Sequence, residues 1–370
     1  MKKIISFMKK ETVLTIATLL AVVSAFFVKP DRQYIGYIDF RTLGILFGLM
    51  VIMQGFQRTG LFDRIGKSLL QKTGKLWQLI LVLVMLCFFF SMLITNDVSL
   101  LTFVPFSILV LKKCGQEQAM IPTVILQTVA ANLGSMLTPV GNPQNLLLYS
   151  VSGMSMGDFI LHMLPLTCVS YVAIVVCIFF IPDQHIILHG NQSQDTKKWL
   201  NVRFIVYCIL FLICLGNVTH LISSYWTVGL IVAVTIFIVN RRLFTQVDYS
   251  LLMTFVGFFI FIGNMKQIPV INQWLQGIIK GNELLVGIVS SQIISNVPAA
   301  MLLSGFTTDY KQLLYGVNIG GLGTLIASMA SLISYRFFSR TYQEQKGRYF
   351  RVFTIYNVVL LVLLYVAACI

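Results

Sequence analysis

Long apolar stretches alternate with short polar or basic segments along the whole chain, and this pattern predicts membrane-spanning helices. A helix needs about 20 apolar residues to cross a bilayer, which is close to the length of most of these stretches. We therefore predict an all-α polytopic membrane protein with about nine spans. The predicted spans are Thr12–Val28, Asp39–Phe56, Ala119–Ser150, Phe159–Ile181, Asn201–Thr219, Tyr225–Val239, Tyr249–Met265, Leu313–Phe338 and Val352–Ala368.

Polar interruptions mark four places inside the apolar pattern. The segment 76–111 has basic residues at both ends and Thr95-Asn96-Asp97 at its middle, which predicts an inner re-entrant hairpin. The segment 283–306, broken at Ser295-Asn296-Val297-Pro298, predicts an outer hairpin. The third and eighth spans contain Gly- and Pro-rich breaks. Unpaired peptide groups are too costly in hydrocarbon, so such breaks are tolerable only where they line a cavity in the protein.

An internal repeat relates the two halves of the chain. The sequence that begins at Asp39 matches the one that begins at Asp248, and the stretch from Asn132 matches the stretch from Asn318. The predicted directions of the matched spans are opposite, so the repeats have inverted topology, as in many secondary transporters. We predict repeat 1 at residues 1–181 with spans 1–4, a linker with span 5 at 182–219, and repeat 2 at 220–370 with spans 6–9.

Composition and charge agree with a membrane protein. The chain is 57% hydrophobic and 11% charged, against about 25% charged residues in a soluble domain. Its net charge of +14 follows from topology, since all but six of the 27 Lys and Arg lie in predicted cytoplasmic segments. The six exceptions are Lys29, Arg32, Arg41, Lys266, Lys280 and Lys311. We expect a multi-pass plasma (inner) membrane protein with a cytoplasmic N-terminus, an outside C-terminus and no nucleic-acid partner.

The sequence offers no support for catalysis. Seven scattered cysteines without C-x-x-C spacing indicate neither a disulfide framework nor a zinc site. The sequence contains neither a phosphate-binding loop nor a recognisable nucleophile–base constellation. We therefore predict a transporter rather than an enzyme, with no cofactor apart from a possible coupling Na+.

The polar breaks supply the candidate binding residues. Carbonyl, amide and hydroxyl oxygens at helix breaks can coordinate Na+, whereas N–H groups at half-helix N-termini attract anions. The candidates are Thr95, Asn96, Asp97, Asn132, Gly134, Ser135, Thr138, Gly141, Asn142, Pro143, Ser295, Asn296, Val297, Pro298, Asn318, Gly320, Gly321, Gly323 and Thr324. Possible Na+ ligands are Asn96, Asp97 and Asn132 in repeat 1 and Asn296, Asn318 and Thr324 in repeat 2. The alternative is structural, because small residues also permit close helix packing and Pro kinks a helix.

Asp97 is the acid that the pattern places near mid-membrane. An ionised carboxylate there is costly, so it should be neutral, paired with a cation or exposed to a water-filled cavity. It is a candidate for Na+ or proton coupling, with a hairpin-tip cap as the alternative. Val297 stands at the matching position of repeat 2, so the two halves are not chemically equivalent. Asp39 and Asp248 open matching helices, and we interpret both as helix caps.

Together these motifs resemble the signatures of the ion transporter superfamily and, more narrowly, of its citrate-transporter-like permeases. That group includes arsenite permeases, NhaD-type Na+/H+ antiporters and sodium-coupled divalent anion (dicarboxylate) symporters, and the resemblance runs from about Asp39 to the end. It implies inverted repeats, hairpin tips that meet near mid-membrane, elevator-like movement and a possible homodimer. In the dicarboxylate symporters Ser-Asn-Thr motifs at the tips bind carboxylates and Na+. The acid in Thr95-Asn96-Asp97 is more similar to the arsenite-permease and antiporter branch.

Three functional hypotheses follow. The leading one is a secondary active transporter, such as a symporter, for a small anion or oxyanion of the di/tricarboxylate or arsenite type, coupled to Na+ or H+. The second is a Na+/H+ antiporter in which Asp97 is the exchanging carboxylate. The third, a channel or membrane-embedded enzyme, is disfavoured by the offset half-helix pockets and by the missing catalytic constellation.

Overall fold

The chain folds into α-helices joined by short loops and 3-10 turns in a computed structural model that describes residues 11–60, 74–182, 202–219, 221–222 and 224–370. The α-helices are α1 (Thr12–Ala25), α2 (Gln33–Tyr37), α3 (Phe40–Arg58), α4 (Leu76–Ile94), α5 (Asn96–Lys113), α6 (Met120–Ser135), α7 (Pro143–Ser152), α8 (Met156–Phe179), α9 (Val202–Val218), α10 (Tyr225–Asn240), α11 (Tyr249–Gln267), α12 (Pro269–Ile279), α13 (Glu283–Ile294), α14 (Asn296–Ser304), α15 (Tyr310–Ile319), α16 (Met329–Thr341) and α17 (Lys346–Cys369).

Six of the described helices are long and apolar enough to cross a membrane, by length and composition. They are Phe40–Arg58, Leu76–Ile94, Met156–Phe179, Tyr225–Gln246, Tyr249–Gln267 and Gln343–Cys369. Three shorter apolar helices are Val13–Ala25, Val202–Val218 and Glu283–Ile294. The predicted third and eighth spans are each two short helices, α6 with α7 and α15 with α16, separated by a break. The architecture is therefore that of an all-α multi-pass membrane protein.

Capping side chains determine where several of these helices begin. Asp39 and Asp248 accept hydrogen bonds from the backbone N–H groups of Thr42 and Leu251, so both cap their helices, α3 and α11. Asn142 does the same for α7, where Pro143 occupies the first helical position. Such caps satisfy N–H groups that have no partner within the helix.

The helix ends at the breaks differ from the sequence-based bounds. The second arm of the inner hairpin starts at Asn96 rather than Val98, because Thr95 alone makes the reversal. The breaks cover 136–142 and 320–328, so Asn132 and Asn318 lie in the last turns of α6 and α15. In the predicted linker with span 5 at 182–219, residues 183–201 lie outside the described residues, as do residues 61–73 before the inner hairpin.

The helices form two groups, which we call the hairpin group and the flanking group. The hairpin group contains α4–α8 and α13–α17, with α4 packed along α6 and α13 along α15. The flanking group contains α1–α3 and α9–α12, with α11 along α1 and α3 against α9 and α10. The groups meet where α14 packs on α11 and where α3 packs on α5 and α7. Large apolar side chains such as Leu212, Leu230 and Phe237 are more than 60% exposed on the flanking group, as expected for helices that face lipid.

Candidate functional site

The two hairpin tips share one unusual backbone conformation. Thr95 has φ 73° and ψ 150°, and Ser295 has φ 75° and ψ 153°. They are the described non-glycine residues with positive φ, in a region that normally belongs to glycine. Such strain persists only when surrounding contacts hold it, and it concentrates at functional sites.

Each tip is hydrogen-bonded to the break of a neighbouring broken helix. The backbone N–H of Asn96 donates to the carbonyl of Gly141 at 3.0 Å, and that of Asn296 donates to the carbonyl of Ala327 at 2.9 Å. The start of α5 is thereby joined to the start of α7, and the start of α14 to the start of α16. Sequence-matched residues therefore make matching local contacts.

The buried side chain of Asn132 connects the two pairs of hydrogen-bonded tips and breaks. Its buried side-chain oxygen accepts hydrogen bonds from Asn96 Nδ2 at 3.2 Å and from Ser328 Oγ at 2.9 Å. Its nitrogen donates to the carbonyl of Gly321 at 3.4 Å. One side chain of α6 thus links the first tip to the N-cap of α16 and to the second break.

Asn318, the sequence counterpart of Asn132, links the two halves from the other side. Its oxygen accepts from Asn142 Nδ2 at 3.3 Å, and its nitrogen donates to Asn145 Oδ1 at 2.7 Å. Asn142 also donates to Ser135 Oγ at 3.1 Å. Ser135 Oγ in turn donates to the backbone carbonyl of Asn132 at 2.9 Å, which joins the two sets of hydrogen bonds. We call these buried amides and hydroxyls the amide cluster, which consists of Asn96, Asn132, Ser135, Asn142, Asn145, Asn318 and Ser328.

Four half-helix N-termini converge on the amide cluster, those of α5, α7, α14 and α16. Each N-terminus carries about half a positive elementary charge from its aligned peptide dipoles. Four C-terminal ends lie beside these N-termini, those of α4 and α13 at the two tips and those of α6 and α15 at the two breaks. The arrangement can therefore offer N–H groups to an anion and carbonyl oxygens to a cation.

A cavity of about 210 Å³ adjoins the amide cluster and has room for several water molecules. It is lined by the starts of four helices, α5, α7, α11 and α16, through Thr95, Asp97, Asn142, Pro143, Asp248, Leu251 and Met329. Its other walls are Leu46, Leu49, Met50, Met53, Gln54, Val98, Leu101, Val140, Leu146, Gln246 and Ile333. We call it the tip cavity.

The side chain of Asp97 makes no hydrogen bond to the amide cluster and lines the tip cavity. Its Oδ1 atom is buried and has no hydrogen-bond partner among the described residues. The backbone N–H of Asp97 donates to the side-chain oxygen of the preceding residue, Asn96 Oδ1, at 2.8 Å. A buried carboxylate oxygen that lacks a hydrogen-bond donor is stabilised by a bound proton or cation.

The structure brings most of the sequence-predicted residues together, but not all. Gly134 lies where α6 touches α4, and a Cβ there would be 2.1 Å from the Phe88 carbonyl oxygen. Val297, 7% exposed, and Pro298 are buried in the first turn of α14. Thr138 and Thr324 stay outside the amide cluster, since their hydroxyls donate to the Met92 and Gln292 carbonyls. The remaining candidates, Gly141, Gly320, Gly321 and Gly323, form the backbone of the two breaks.

The motif analysis missed two glutamines, of which Gln292 holds the second break and Gln127 holds three helices together. Gln292 donates to the carbonyls of Gly320 and Leu322, and its oxygen accepts from the N–H of Thr324. Gln127 is fully buried and donates to Ser107 Oγ at 2.8 Å and to the carbonyl of Leu83, which ties α6 to α5 and α4. The signal was a lone amide inside an apolar helix, which lipid exposure would make costly.

Comparison with known proteins decides the family. The sequence profile described as "Citrate transporter" matches residues 4–309. The chain belongs to the citrate transporter family. It is 35% identical over 306 residues to an uncharacterised transporter of Methanocaldococcus jannaschii, with 81% of each chain covered. It is 31% identical over 324 residues to inner membrane protein YbiR of Escherichia coli, covering 86% of this chain and 85% of that protein.

Membership confirms the resemblance that the tip and break motifs indicated. A more distant relative, a 46 kDa membrane protein of Mycobacterium leprae, is 22% identical over 337 residues, with 80% of this chain and 78% of that protein covered. Family membership and the apolar helices agree on a multi-pass membrane transporter of the citrate transporter family. The matched residues include the first tip and the first break, whereas Asn318 and Ser328 of the amide cluster and Met329 and Ile333 of the tip cavity lie beyond them.

Proposed function

We propose that this member of the citrate transporter family is a secondary active transporter that moves a small anion or oxyanion, coupled to Na+ or H+. The observation that supports it best is the convergence of four half-helix N-termini on one buried polar cluster. A di- or tricarboxylate or an arsenite-like oxyanion would meet N–H donors there. The described lining of the tip cavity contains no Lys or Arg, so helix dipoles would supply the attraction.

Asp97 is the proposed coupling residue. Its unpartnered Oδ1 suits either a proton or Na+, which carboxylate and carbonyl oxygens bind readily. Asn96 and Asn132 lie beside the same tip and could complete an oxygen shell after small side-chain rotations. The predicted second Na+ site at Asn296, Asn318 and Thr324 has weaker support, because Asn318 is engaged with Asn142 and Asn145 while Thr324 is exposed.

An elevator-like mechanism fits the two helix groups. In this proposal the inverted repeats contribute one re-entrant hairpin each, and the hairpin group moves against the flanking group across the bilayer. The matching conformations of Thr95 and Ser295 support the repeat assignment. The contacts between the groups are confined to α3, α5, α7, α11 and α14 in the described chain, apart from weaker touches. A homodimer, a plasma-membrane location, a cytoplasmic N-terminus and an outside C-terminus complete the proposal.

A Na+/H+ antiporter is the second candidate. The unpartnered oxygen of Asp97 favours it, because exchange of Na+ for a proton at one carboxylate needs no organic substrate. The two candidates differ in whether an anion moves.

Uptake into proteoliposomes with imposed Na+ or H+ gradients tests the proposal. Citrate, succinate, arsenite and sulfate are offered in turn, and we expect gradient-driven accumulation of at least one. If none moves while a Na+ gradient changes the lumenal pH, the antiporter is correct. If neither anion nor cation flux exceeds that of empty liposomes, both proposals are wrong.

Asp97→Asn should abolish coupled transport without preventing membrane insertion. The matched control is Asp158→Asn, which neutralises an exposed acid in the first turn of α8, far from the tip motifs in sequence. Wild-type rate and wild-type pH dependence in Asp97→Asn would contradict the coupling role.

A further inference from the structure

Two capping aspartates with the same backbone geometry have different side-chain partners. Asp39 has φ −78° and ψ 84°, and Asp248 has φ −79° and ψ 83°. Both use Oδ1 to cap a helix. Asp39 Oδ2 also accepts from the hydroxyls of Thr42 and Ser150, so both of its oxygens are occupied.

Asp248 has a second carboxylate oxygen that its capping role does not use. Position 251, which matches Thr42, is Leu, so no hydroxyl reaches Asp248 from its own helix. Within the described chain its Oδ2 atom receives no hydrogen bond. The carboxylate is exposed and lines the tip cavity, whereas Asp39 does not line that cavity.

Asp248 and Asp97 face the tip cavity from different helix groups. Asp97 comes from the first tip, in the hairpin group, and Asp248 from α11, in the flanking group. They are the charged side chains in the described lining; the polar remainder is neutral, namely Gln54, Thr95, Asn142 and Gln246.

The charge balance of the tip cavity couples a cation to an anion. Four helix N-termini line it, those of α5, α7, α11 and α16, and each contributes about half a positive charge. Two ionised carboxylates offset that contribution, so the cavity then has little net charge. One bound Na+ or proton makes it net positive, which favours an anion.

We propose that Asp97 and Asp248 share the coupling cation, so that Asp248 is a second cation-binding residue contributed by the flanking group. The inference rests on the proposed coupling role of Asp97. Asp97 holds the buried end of the site and Asp248 the exposed end, so the cation enters past Asp248. Cation binding promotes anion binding, because the bound cation makes the cavity net positive. The cation also bridges the first tip to α11 while it is bound.

Substitution with Asn separates the charge of Asp248 from its capping role, because Asn caps a helix as well as Asp does. Asp248→Asn is compared with Asp39→Asn, its matched control, and with Asp97→Asn. Each purified variant is checked for monodispersity by size-exclusion chromatography. Thermal unfolding is then followed against Na+ at constant ionic strength, with choline as replacement, and against pH without Na+. Binding of radioactive Na+ is measured in parallel.

We expect Na+ or a lower pH to raise the unfolding midpoint of the wild type, because either neutralises paired carboxylates in the folded state. If the cation is Na+, Asp248→Asn should weaken its apparent affinity about tenfold or more, as for loss of one charged ligand. If the cation is a proton, Asp248→Asn should remove most of the pH response. Asp39→Asn should match the wild type in both arms, and Asp97→Asn should lose the response.

Two results would overturn the inference, and they are distinguishable. If Asp248→Asn behaves as Asp39→Asn does while Asp97→Asn loses the response, Asp248 is only a cap and the proposed coupling role of Asp97 stands. If the wild type responds to neither Na+ nor pH, the proposed cation coupling fails together with the inference. Reduced monodispersity of Asp248→Asn is resolved with Asp248→Ser, a second neutral cap, which must reproduce the loss for the inference to survive.

Discussion

Replacement of Asn132 by Ala tests whether the amide cluster holds the two halves together. The side chain is 4% exposed and accepts two hydrogen bonds, one from Asn96 and one from Ser328. Its removal leaves two buried donors without their acceptor. Each orphaned group costs about 1–3 kcal/mol in a protein interior. Measured interhelical bonds in a bilayer average only about 0.6 kcal/mol, so we expect a combined loss of about 1–3 kcal/mol.

Asn357→Ala is the matched control. Asn357 is equally buried, in α17, but its nitrogen donates only within its own helix, to the carbonyl of Phe353. That carbonyl can keep its backbone partner, so the loss should be below about 1 kcal/mol. Both variants are unfolded thermally in the same detergent and followed by circular dichroism, with the free-energy change evaluated at the wild-type midpoint.

A double-mutant cycle with Ser328→Ala isolates the contact between the two halves of the chain. If Ser328 donates to Asn132, the double variant should lose less stability than the sum of the single losses, by about 0.5–1.5 kcal/mol. Strict additivity, or equal losses for Asn132→Ala and Asn357→Ala, would refute the bridging role of Asn132.

Three further predictions follow from the described geometry. Gly134→Ala should push α4 away from α6 and lower the free energy of unfolding by about 1–3 kcal/mol, because the new Cβ meets the Phe88 carbonyl. Its control is Gly229→Ala, where nothing lies within 4 Å, and which should be neutral or stabilising in the same thermal assay. Thr95→Gly should relieve about 1–3 kcal/mol of backbone strain and lose about 0.5–1 kcal/mol to the greater entropy of glycine in the unfolded chain. The unfolding midpoint of Thr95→Gly should therefore rise, whereas that of Thr95→Ala should not. A membrane-impermeant maleimide should label exposed Cys369 in intact cells and half-buried Cys114 only in inverted vesicles; the reverse pattern would contradict the proposed orientation.

The apolar pattern was sufficient to predict the helices and the places where they break. Hydrocarbon forbids unpaired backbone, so each polar interruption in an apolar stretch had to be either a loop or a lined cavity. Local chemistry then located helix starts, as at Asn142-Pro143, where a cap precedes a residue suited to the first turn. The observed helix ends near Asn96 and Asn318 differ by a few residues from the predicted ones. A helix can begin directly after a single strained residue, and it can continue past a polar position when its cap comes later.

Contacts between distant segments could not be predicted from spacing. Asn132 and Ser328 are 196 residues apart, and nothing local indicates that one accepts a hydrogen bond from the other. Gln292 was also missed, because an isolated amide in a helix gives no indication of which break it will cap. Such partners depend on the three-dimensional packing of helices, which a one-dimensional pattern does not contain.

The differences between the halves carry more functional information than their similarity. The tips have the same backbone conformation, yet Asp97 stands opposite Val297 in the repeat. The caps of α3 and α11 have the same conformation, yet Asp39 is saturated by Thr42 and Ser150 while Asp248 is not. As a result, the tip cavity contains two carboxylates, Asp97 and Asp248, that each have an oxygen without a hydrogen-bond donor from the described protein. The second tip has Val297 in place of such a carboxylate. A scaffold with charge at only one of its two tips should bind one cation there per cycle, so a measured stoichiometry of two at this cavity would contradict the sharing of a single cation by Asp97 and Asp248.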